Sequence, residues 1–338
     1  MLFVPVVDCE QRPLMPTTPA RARRWVRYRK AVPFWKRGVF CIRLTFAGCG
    51  RKMQPISVGI DPGVKMEGLT VKSQAHTYLN IQATAVTWVT KHLDQRRIAR
   101  RNRRYRNSPC RASRHNRKGT SLPPSVRARW AWKLRLCLWL LKLYPISGFV
   151  VEDVKAVTKT GVRRWNKSFS PIQLGKNWFY RELGALAPVS LCTGFDTYNL
   201  RKAANLAKGT NKTAIRFNSH CVDSWVLANS GVGGHTVPEN TDLLHIIPLQ
   251  FHRRQLQVFY PAKGGLRKAY GGTKSGPLKR GSLVKHVKYG LTYVGGQSKC
   301  GISLHSLSGG LDGGRVCRSA KPGDIKFLSY SSWIVRNG

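Results

Sequence analysis

Acidic residues are scarce in this chain. Only 14 of its 338 residues are Asp or Glu, against 59 Lys and Arg, so the net charge is +45. Such an excess repels itself unless a polyanion neutralises it, which makes nucleic acid the expected partner. Because 42% of the residues are hydrophobic and 10% are aromatic, the chain is not a disordered basic tail. Its length predicts about two domains with a sizeable core.

Paired cysteines, long apolar runs and a secretory signal are also missing. The nine cysteines form no CxxC pair, so neither a zinc ribbon nor a disulfide framework is expected. No 18 consecutive residues are apolar, so no membrane partner is expected. The opening MLFVPVVDCE has no basic segment and does not predict a signal peptide. These absences predict a cytoplasmic protein.

The pattern of residues predicts a mixed α/β order. Near the N-terminus, strands FVPVVD and GVFCIRLTF flank a turn at PLMP (residues 13–16) and a basic helix capped by Thr18. Residues 56–86 predict a three-stranded meander, followed by a basic helix over residues 87–106.

The rest of the chain continues this alternation before it becomes strand-rich. A long helix opens at Pro123-Pro124, and the strand SGFVVEDV follows it. A helix after Ser170-Pro171, the strand VSLC and a helix around HCVDSWVLAN come next. Short strands with glycine-rich turns over residues 282–335 predict a small β-barrel.

Three of the few acids lie at or beside apolar runs: Asp61, Glu152 and Asp223. Buried carboxylates need a partner, so these residues predict either three buried salt bridges or one site for divalent metal. His220 lies three residues before Asp223 and shares its helix face. Oxygen ligands favour magnesium or manganese, and two such ions can clamp a phosphodiester for in-line displacement.

The segment RRIARRNRRYR has seven arginines in eleven residues. A solvated basic face is the alternative, but this density of positive charge favours bound nucleic acid, and Arg suits bidentate phosphate contact. The arginines are Arg96, Arg97, Arg100, Arg101, Arg103, Arg104 and Arg106. Further nucleic-acid-binding candidates are Arg21, Arg23, Arg24, Arg253, Arg254, Lys263, Arg267 and Lys268.

Six aromatic side chains are candidates for base stacking or for the core. Helical spacing favours core packing for Trp130, Trp132 and Trp139. Trp165, Trp178 and Tyr198 are expected in loops, where an aromatic ring is more accessible for stacking on nucleotides than it is within the core.

ISVGIDPG, FVVEDV and SHCVDS resemble the three split motifs of a RuvC nuclease, a member of the RNase H fold. The arginine-rich segment resembles the bridge helix of RNA-guided nucleases. PLMP and the stretch FHRRQLQVFYPAKGGLRKAYGGT resemble segments of the transposon-encoded IscB and IsrB proteins. Only 67 residues separate Glu152 from His220, without a His-Asn-His arrangement, so the chain is most similar to IsrB, the form that lacks the HNH nuclease.

The resemblance implies an α/β, RNase H-like (RuvC) mixed sheet with split motifs and a bridge helix. A small N-terminal α+β module and a C-terminal β-rich barrel module would complete the fold. Its segments would be an N-terminal PLMP domain (1–52), RuvC motif I (53–90), the bridge helix and loop (91–120), RuvC motifs II and III (121–238), and a domain that contacts the target-adjacent motif (239–338).

The resemblance also implies an RNA-guided nickase in the prokaryotic cytosol or nucleoid. A protein monomer would bind a guide RNA (ωRNA) and nick the non-target strand of double-stranded DNA beside a short motif. Asp61, Glu152 and Asp223 would bind two Mg²⁺ ions, with Mn²⁺ able to substitute, and His220 would activate water or assist at the metal. Asp153 would point to the opposite face, towards a basic neighbour.

Two alternatives to this function stay open. The first is a non-cleaving RNA-guided nucleic-acid-binding protein on a decayed nuclease fold. The second is a guide-independent RuvC-type junction nuclease.

Overall fold

The computed structural model describes residues 3–47, 53–107, 122–153, 171–234, 237–249, 259–260, 265–266, 274–275, 278–298, 301–307 and 314–337. The chain forms two compact units. Unit 1 combines Met1–Met53 with Asp242–Gly338, and unit 2 is Gln54–Thr241. Within the described part of the chain, no helix is long and apolar enough to cross a membrane.

The strands and helices follow one another through both units. In chain order they are β1 (Val4–Val7), β2 (Pro13–Thr17), α1 (Pro19–Arg27), β3 (Ala31–Lys36), β4 (Val39–Leu44), β5 (Ile56–Asp61), β6 (Met66–Ser73), β7 (Thr77–Thr84), α2 (Trp88–Tyr105), α3 (Pro124–Leu140), β8 (Gly148–Asp153), α4 (Pro171–Gly184), β9 (Val189–Thr193), α5 (Gly194–Ala203), α6 (Val222–Val232), β10 (Leu243–Pro248), β11 (Phe259–Tyr260), β12 (Gly265–Leu266), β13 (Lys274–Ser275), β14 (Leu278–Lys279), β15 (Ser282–His286), β16 (Gly290–Ser298), β17 (Gly301–Ser306), β18 (Arg315–Ala320), β19 (Ile325–Tyr330) and β20 (Trp333–Asn337).

Unit 2 is built on five strands in the order β7-β6-β5-β8-β9. Strands β5, β6 and β7 form the antiparallel meander that the sequence predicts. Strand β8 then pairs parallel to β5, with Ile60 opposite Val151, and β9 pairs parallel to β8. Three antiparallel strands followed by two parallel ones give the RNase H-like arrangement, which confirms the expected fold class.

Helix α6 packs directly on β5 and β6. A Cβ atom on Gly59 would lie 1.9 Å from the backbone oxygen of Ser224, so only glycine permits this approach. The Ser224 hydroxyl lies 2.8 Å from the Thr70 hydroxyl of β6, and the indole of Trp225 donates to Thr77. These contacts bring the first turn of α6 to the end of β5, where Asp61 lies.

Helix α3 covers the other face of the meander. Trp132 donates its indole hydrogen to the carbonyl oxygen of Thr84, and Lys133 forms an ion pair with Glu67 of β6. Trp130, Trp132 and Trp139 are at most 8% exposed, so the prediction of core packing is confirmed.

Three local predictions were wrong. PLMP lies within strand β2 rather than in a turn, because residues 13–17 pair with β1. Trp178 and Tyr198 lie on α4 and α5 rather than in loops. Trp165 lies outside the described residues.

The N-terminal part of unit 1 is a four-stranded sheet with one helix. Its strand order is β2-β1-β4-β3, and β1 pairs parallel to β4. Helix α1 starts with Pro19, and Thr18 accepts a hydrogen bond from the Arg21 amide, as the sequence predicts. Ala22 is buried against the sheet, while Arg23 points to solvent.

The C-terminal part of unit 1 is an antiparallel sheet in the order β18-β17-β16-β15-β19. Its core cluster includes Val284, Val294 and Leu304, and both Cys317 of one edge strand and Ile325 of the other pack against this cluster. Residues of both edge strands therefore share one core, and β18 and β19 form the two edges of the sheet. The opposite face packs against the N-terminal part through a separate cluster that includes Trp35, Leu283 and Tyr293.

The thiols among the described residues are free, as the scattered spacing predicts. They are Cys9, Cys41, Cys137, Cys192, Cys221 and Cys317.

Candidate metal centre

Three carboxylates predicted from the sequence meet in unit 2. Asp61 ends β5, and Glu152 lies next to the end of β8, the parallel neighbour of β5. Asp223 lies in the first turn of α6. One carboxylate oxygen from each residue lies within 4.8 Å of the others. Asp61 and Asp223 are buried and Glu152 is half-buried, so the cluster opens to solvent on the Glu152 side.

His220 lies in a short π-helical segment, Phe217–Cys221, that leads directly into α6, and it contacts Asp61. Its Nδ1 lies 3.0 Å from the Asp61 carboxylate, and its Nε2 lies 3.0 Å from the backbone oxygen of Lys212. A protonated imidazole ring can donate to both oxygen atoms at once. Burial lowers the pKa of His220, but the hydrogen bonds to Asp61 and Lys212 outweigh burial and the pKa is raised. His220 is thus held against Asp61, with both of its ring nitrogens engaged in hydrogen bonds.

Asp223 has two cationic partners. Arg201 of α5 contacts its Oδ1, and Lys208 contacts its Oδ2. Burial lowers the pKa of Lys208, but the hydrogen bond to Asp223 and the nearby carboxylates outweigh burial and raise it. The charged form of Lys208 is therefore favoured, and each carboxylate oxygen of Asp223 has one basic side chain beside it.

Of the three carboxylates, Glu152 has the least positive charge beside it to offset its negative charge. Burial and the negative charges of Asp61 and Asp223 raise its pKa to about 7. Lys208 opposes this increase from a distance. A protonated Glu152 donates a hydrogen bond to Asp61, which holds the crowded carboxylates together.

The chemistry of this donor set fits hard divalent cations. All three ligands are carboxylates, they converge, and their mutual repulsion raises the pKa of Glu152. The basic side chains of Arg201 and Lys208 beside Asp223, and His220 beside Asp61, offset part of this repulsion.

Asp153, the neighbour of Glu152, points away from the cluster. It forms an ion pair of 2.7 Å with Lys176 and accepts a hydrogen bond from the Tyr180 hydroxyl. This confirms the expectation that Asp153 faces a basic neighbour, which follows from the alternation of side chains along β8.

Sequence reasoning missed a fourth acid near the site. Glu67 is 1% exposed, and its Oε1 lies 2.8 Å from the Lys133 ammonium group. Burial raises the pKa of Glu67, while the positive charge of Lys133 opposes the increase. The start of the apolar run EGLTVKS was the available signal. Arg201 and Lys208 were also missed, because no spacing in the sequence links them to Asp223.

The predicted arginine-rich segment forms most of α2. Six of its seven arginines are exposed and Arg103 is half-buried. Arg97 lies 3.4 Å from Asp94. Among the described residues, no carboxylate lies within ion-pair distance of the other six. In the part of the chain that the structure describes, the surface of α2 therefore carries a dense positive charge that is offset by one acidic partner, Asp94.

The other predicted basic residues fall into two groups. Arg21, Arg23 and Arg24 are exposed on α1. The remaining candidates lie outside the described residues: Arg253, Arg254, Lys263, Arg267 and Lys268.

Comparison with known proteins gives one family match and several remote similarities. Residues 4–164, just under half of the chain, match a family model described as RRXRR protein. No curated protein is significantly similar to the chain.

Similar solved structures include two resolvases and one larger complex. T. thermophilus RuvC in complex with Holliday junction substrate is 13% identical, with a TM-score of 0.28, and the match covers 53% of this chain and 96% of that one. The yeast mitochondrial Holliday junction resolvase Ydc2 is 14% identical, with a TM-score of 0.26 and coverage of 52% and 76%. A chain of a CRISPR-Cas12f ternary complex is 12% identical, with a TM-score of 0.32 and coverage of 65% and 50%. The RNase H-like assignment rests on the strand order of unit 2 and not on these similarities.

Proposed function

We propose that this protein is an RNA-guided, divalent-metal-dependent DNA endonuclease of the IsrB type that nicks the non-target strand. The observation that carries the proposal is the convergence of Asp61, Glu152 and Asp223 in an RNase H-like fold. A carboxylate cluster of this kind is suited to phosphodiester hydrolysis with two metal ions.

The residues of the chain have distinct roles in this proposal. Asp61, Glu152 and Asp223 would hold two Mg²⁺ ions, or Mn²⁺ in their place. Such ions supply Lewis-acid activation of the phosphate and of the attacking water. His220 orients Asp61 through its Nδ1 hydrogen bond and offsets its negative charge.

The guide RNA is supported by charge and by family. The +45 net charge needs a large polyanion, and the exposed arginines of α2 offer bidentate donors to phosphates. The RRXRR family, which matches residues 4–164, is found in IscB- and IsrB-like proteins. We extend the proposal to the predicted segments: residues 1–52 contact the guide RNA together with α2, and residues 239–338 contact the motif beside the target.

The decisive test starts from the RNA that co-purifies with the full chain. This RNA is sequenced, and a DNA duplex that matches its variable end is incubated with the complex in Mg²⁺ or in EDTA. We expect one nicked strand in Mg²⁺ and none in EDTA. Asp61→Asn should abolish nicking and retain guided binding, because the amide keeps the shape but loses a metal-binding charge. Asp153→Asn, which changes the adjacent carboxylate outside the cluster, should still nick.

Each alternative function gives a different result in the same assay. Guided binding without any cut in Mg²⁺ or Mn²⁺ would indicate a non-cleaving binding protein. Cutting of a branched junction by RNA-free protein would indicate a guide-independent resolvase. Nicking by Asp61→Asn at the wild-type rate would remove the carboxylate cluster from the active site.

A further inference from the structure

Helix α5 runs beside the carboxylate cluster and is fixed at both ends. Thr193 and Asp196 form a reciprocal capping box at its first turn. A Cβ atom on Gly194 would lie 3.1 Å from the Glu152 carboxylate, so the helix begins against one carboxylate of the site. Near its other end, Arg201 contacts Asp223. The helix therefore extends from one predicted metal ligand to another.

The outer face of this helix carries aromatic rings that are not used for packing. Phe195 is 71% exposed and Tyr198 is 50% exposed, and their spacing of three residues places them on one face. Thr197 is the buried residue of the helix. Exposed aromatic rings beside a site for a polyanion are the arrangement on which nucleic-acid bases stack.

Cations follow the rings along the same face. The Arg201 guanidinium lies over the Tyr198 ring, 5.6 Å from its centroid, while its tip contacts Asp223. A cavity of about 400 Å³ is lined by Tyr198, Arg201, Lys202 and Lys208. Arg201 and Lys208 thus belong both to this cavity and to the partners of Asp223. A phosphate in the cavity would lie beside the cluster, and the base attached to it would reach Tyr198.

We propose that this face of α5 is a nucleotide subsite in which Tyr198 stacks on a base of the strand being cut and Arg201, Lys202 and Lys208 hold its phosphate. The inference rests on the proposed nuclease function, because it places the subsite beside the metal ligands. Base stacking does not depend on sequence, so the subsite holds the strand in place for any target. Phe195, one turn earlier on the helix, extends the stacking surface to the next base.

Photocross-linking tests this subsite on the full chain with its co-purified RNA. The probe is a short single-stranded DNA that carries one 5-iodouracil, a base that cross-links to aromatic rings in contact with it, in the presence of Ca²⁺. We expect the cross-link in the tryptic peptide 182–201, which contains both Phe195 and Tyr198. Tyr198→Trp keeps an aromatic face and should retain the cross-link. Tyr198→Leu should weaken DNA binding at least about five-fold, the lower limit for losing one base stack.

A matched control uses another exposed tyrosine beside a cation. Tyr289 lies 5.7 Å from the Lys288 ammonium group and is 38% exposed. Tyr289 lies in the segment proposed to contact the duplex motif, which a short single-stranded probe does not carry, so Tyr289→Leu should leave the cross-link in peptide 182–201 unchanged. The absence of a cross-link in peptide 182–201, or equal DNA affinity in Tyr198→Leu and Tyr198→Trp, would overturn the subsite.

The experiments distinguish failure of the nuclease proposal from failure of the subsite. Cross-linking at Tyr198 in a protein that cuts no DNA would support the subsite and refute the nuclease. Cutting by a protein whose Tyr198→Leu variant binds DNA normally would support the nuclease and refute the subsite.

Discussion

Replacing Glu152 by glutamine should stabilise the metal-free protein and remove its response to divalent cations. Burial and the charges of Asp61 and Asp223 raise the pKa of Glu152 from 4.5 to about 7. At 1.36 kcal/mol per pKa unit, ionised Glu152 costs the fold at most about 3 kcal/mol. Solvent screening of this partly exposed side chain reduces the cost to about 1–2 kcal/mol. Glutamine keeps the shape and avoids that cost.

The pH dependence gives the sign of the effect. Below pH 4.5 the carboxyl group of Glu152 is protonated in both the folded and the unfolded chain, so it costs nothing. As pH rises from 4.5 to about 7, the unfolded chain loses this proton first and the folded state loses stability. The wild-type protein should therefore lose about 1–2 kcal/mol relative to Glu152→Gln between pH 4.5 and pH 8.

Urea unfolding in EDTA at pH 4.5 and at pH 8 measures this difference. The raised pKa of His220 also makes stability fall as pH rises, but this contribution is present in both proteins and cancels in the comparison. Adding Mg²⁺ at pH 8 should stabilise the wild type more than the variant, and any effect of Mg²⁺ on bound RNA is common to both.

The neighbouring carboxylate is a control with the opposite sign. Asp153→Asn removes the carboxylate that pairs with buried Lys176, so it should destabilise the protein by about 2–3 kcal/mol at pH 8. A Glu152→Gln variant that is less stable than wild type in EDTA at pH 8 would refute the reasoning, because Glu152 would then be favourably paired.

Three further predictions concern packing, a buried ion pair and the basic helix. Gly59→Ala should lower the free energy of unfolding in urea by about 2–3 kcal/mol, because its Cβ atom would lie 1.9 Å from the backbone of α6. It should also reduce the affinity for Mg²⁺ in calorimetry. A variant as stable as the wild type would contradict this close approach. Lys133→Met should lower the free energy of unfolding in urea by about 3–5 kcal/mol, because Glu67 stays buried without its cationic partner. The double variant with Glu67→Gln should recover much of this loss. Arg100→Gln with Arg101→Gln should flatten the slope of log affinity against log salt by about 0.7–0.9 for each phosphate that is no longer neutralised, and an unchanged slope would mean that these arginines face solvent in the complex.

The elements that position the site were predictable because their signals are local. The apolar run ISVGID must be a buried strand, and the tight turn after it leaves Asp61 at the strand end. FVVED gives a parallel neighbour with Glu152 near the same edge, since the carboxyl ends of parallel strands meet. The long apolar helix over α3 follows from its spacing. Two carboxylates near one sheet edge thus follow from pattern alone.

What the sequence did not reveal depends on contacts between distant segments or on weak patterns. Helix α5 buries little of its surface, so it has no apolar stripe, and its capping pair Thr193 and Asp196 was the only local signal. Strand β3 is partly exposed, so its sequence lacks a clear apolar alternation. The proline within AVPFWK also argues against a strand in a sequence-based prediction. The pairing of Arg201 and Lys208 with Asp223 joins α5 and a loop to α6, which no periodicity encodes.

These cations connect the carboxylate cluster with the subsite on α5. Arg201 and Lys208 both contact Asp223, and His220 contacts Asp61, so basic side chains surround the cluster. Divalent cations would compete with Arg201 and Lys208 for the same Asp223 oxygen atoms. Arg201 and Lys208 also line the cavity beside Tyr198, so if a divalent ion displaced them from Asp223, a DNA phosphate in the cavity would be their alternative partner. Metal binding at the carboxylate cluster would therefore free the same two side chains that a DNA phosphate would contact in the cavity. We accordingly expect metal and DNA to bind with positive coupling.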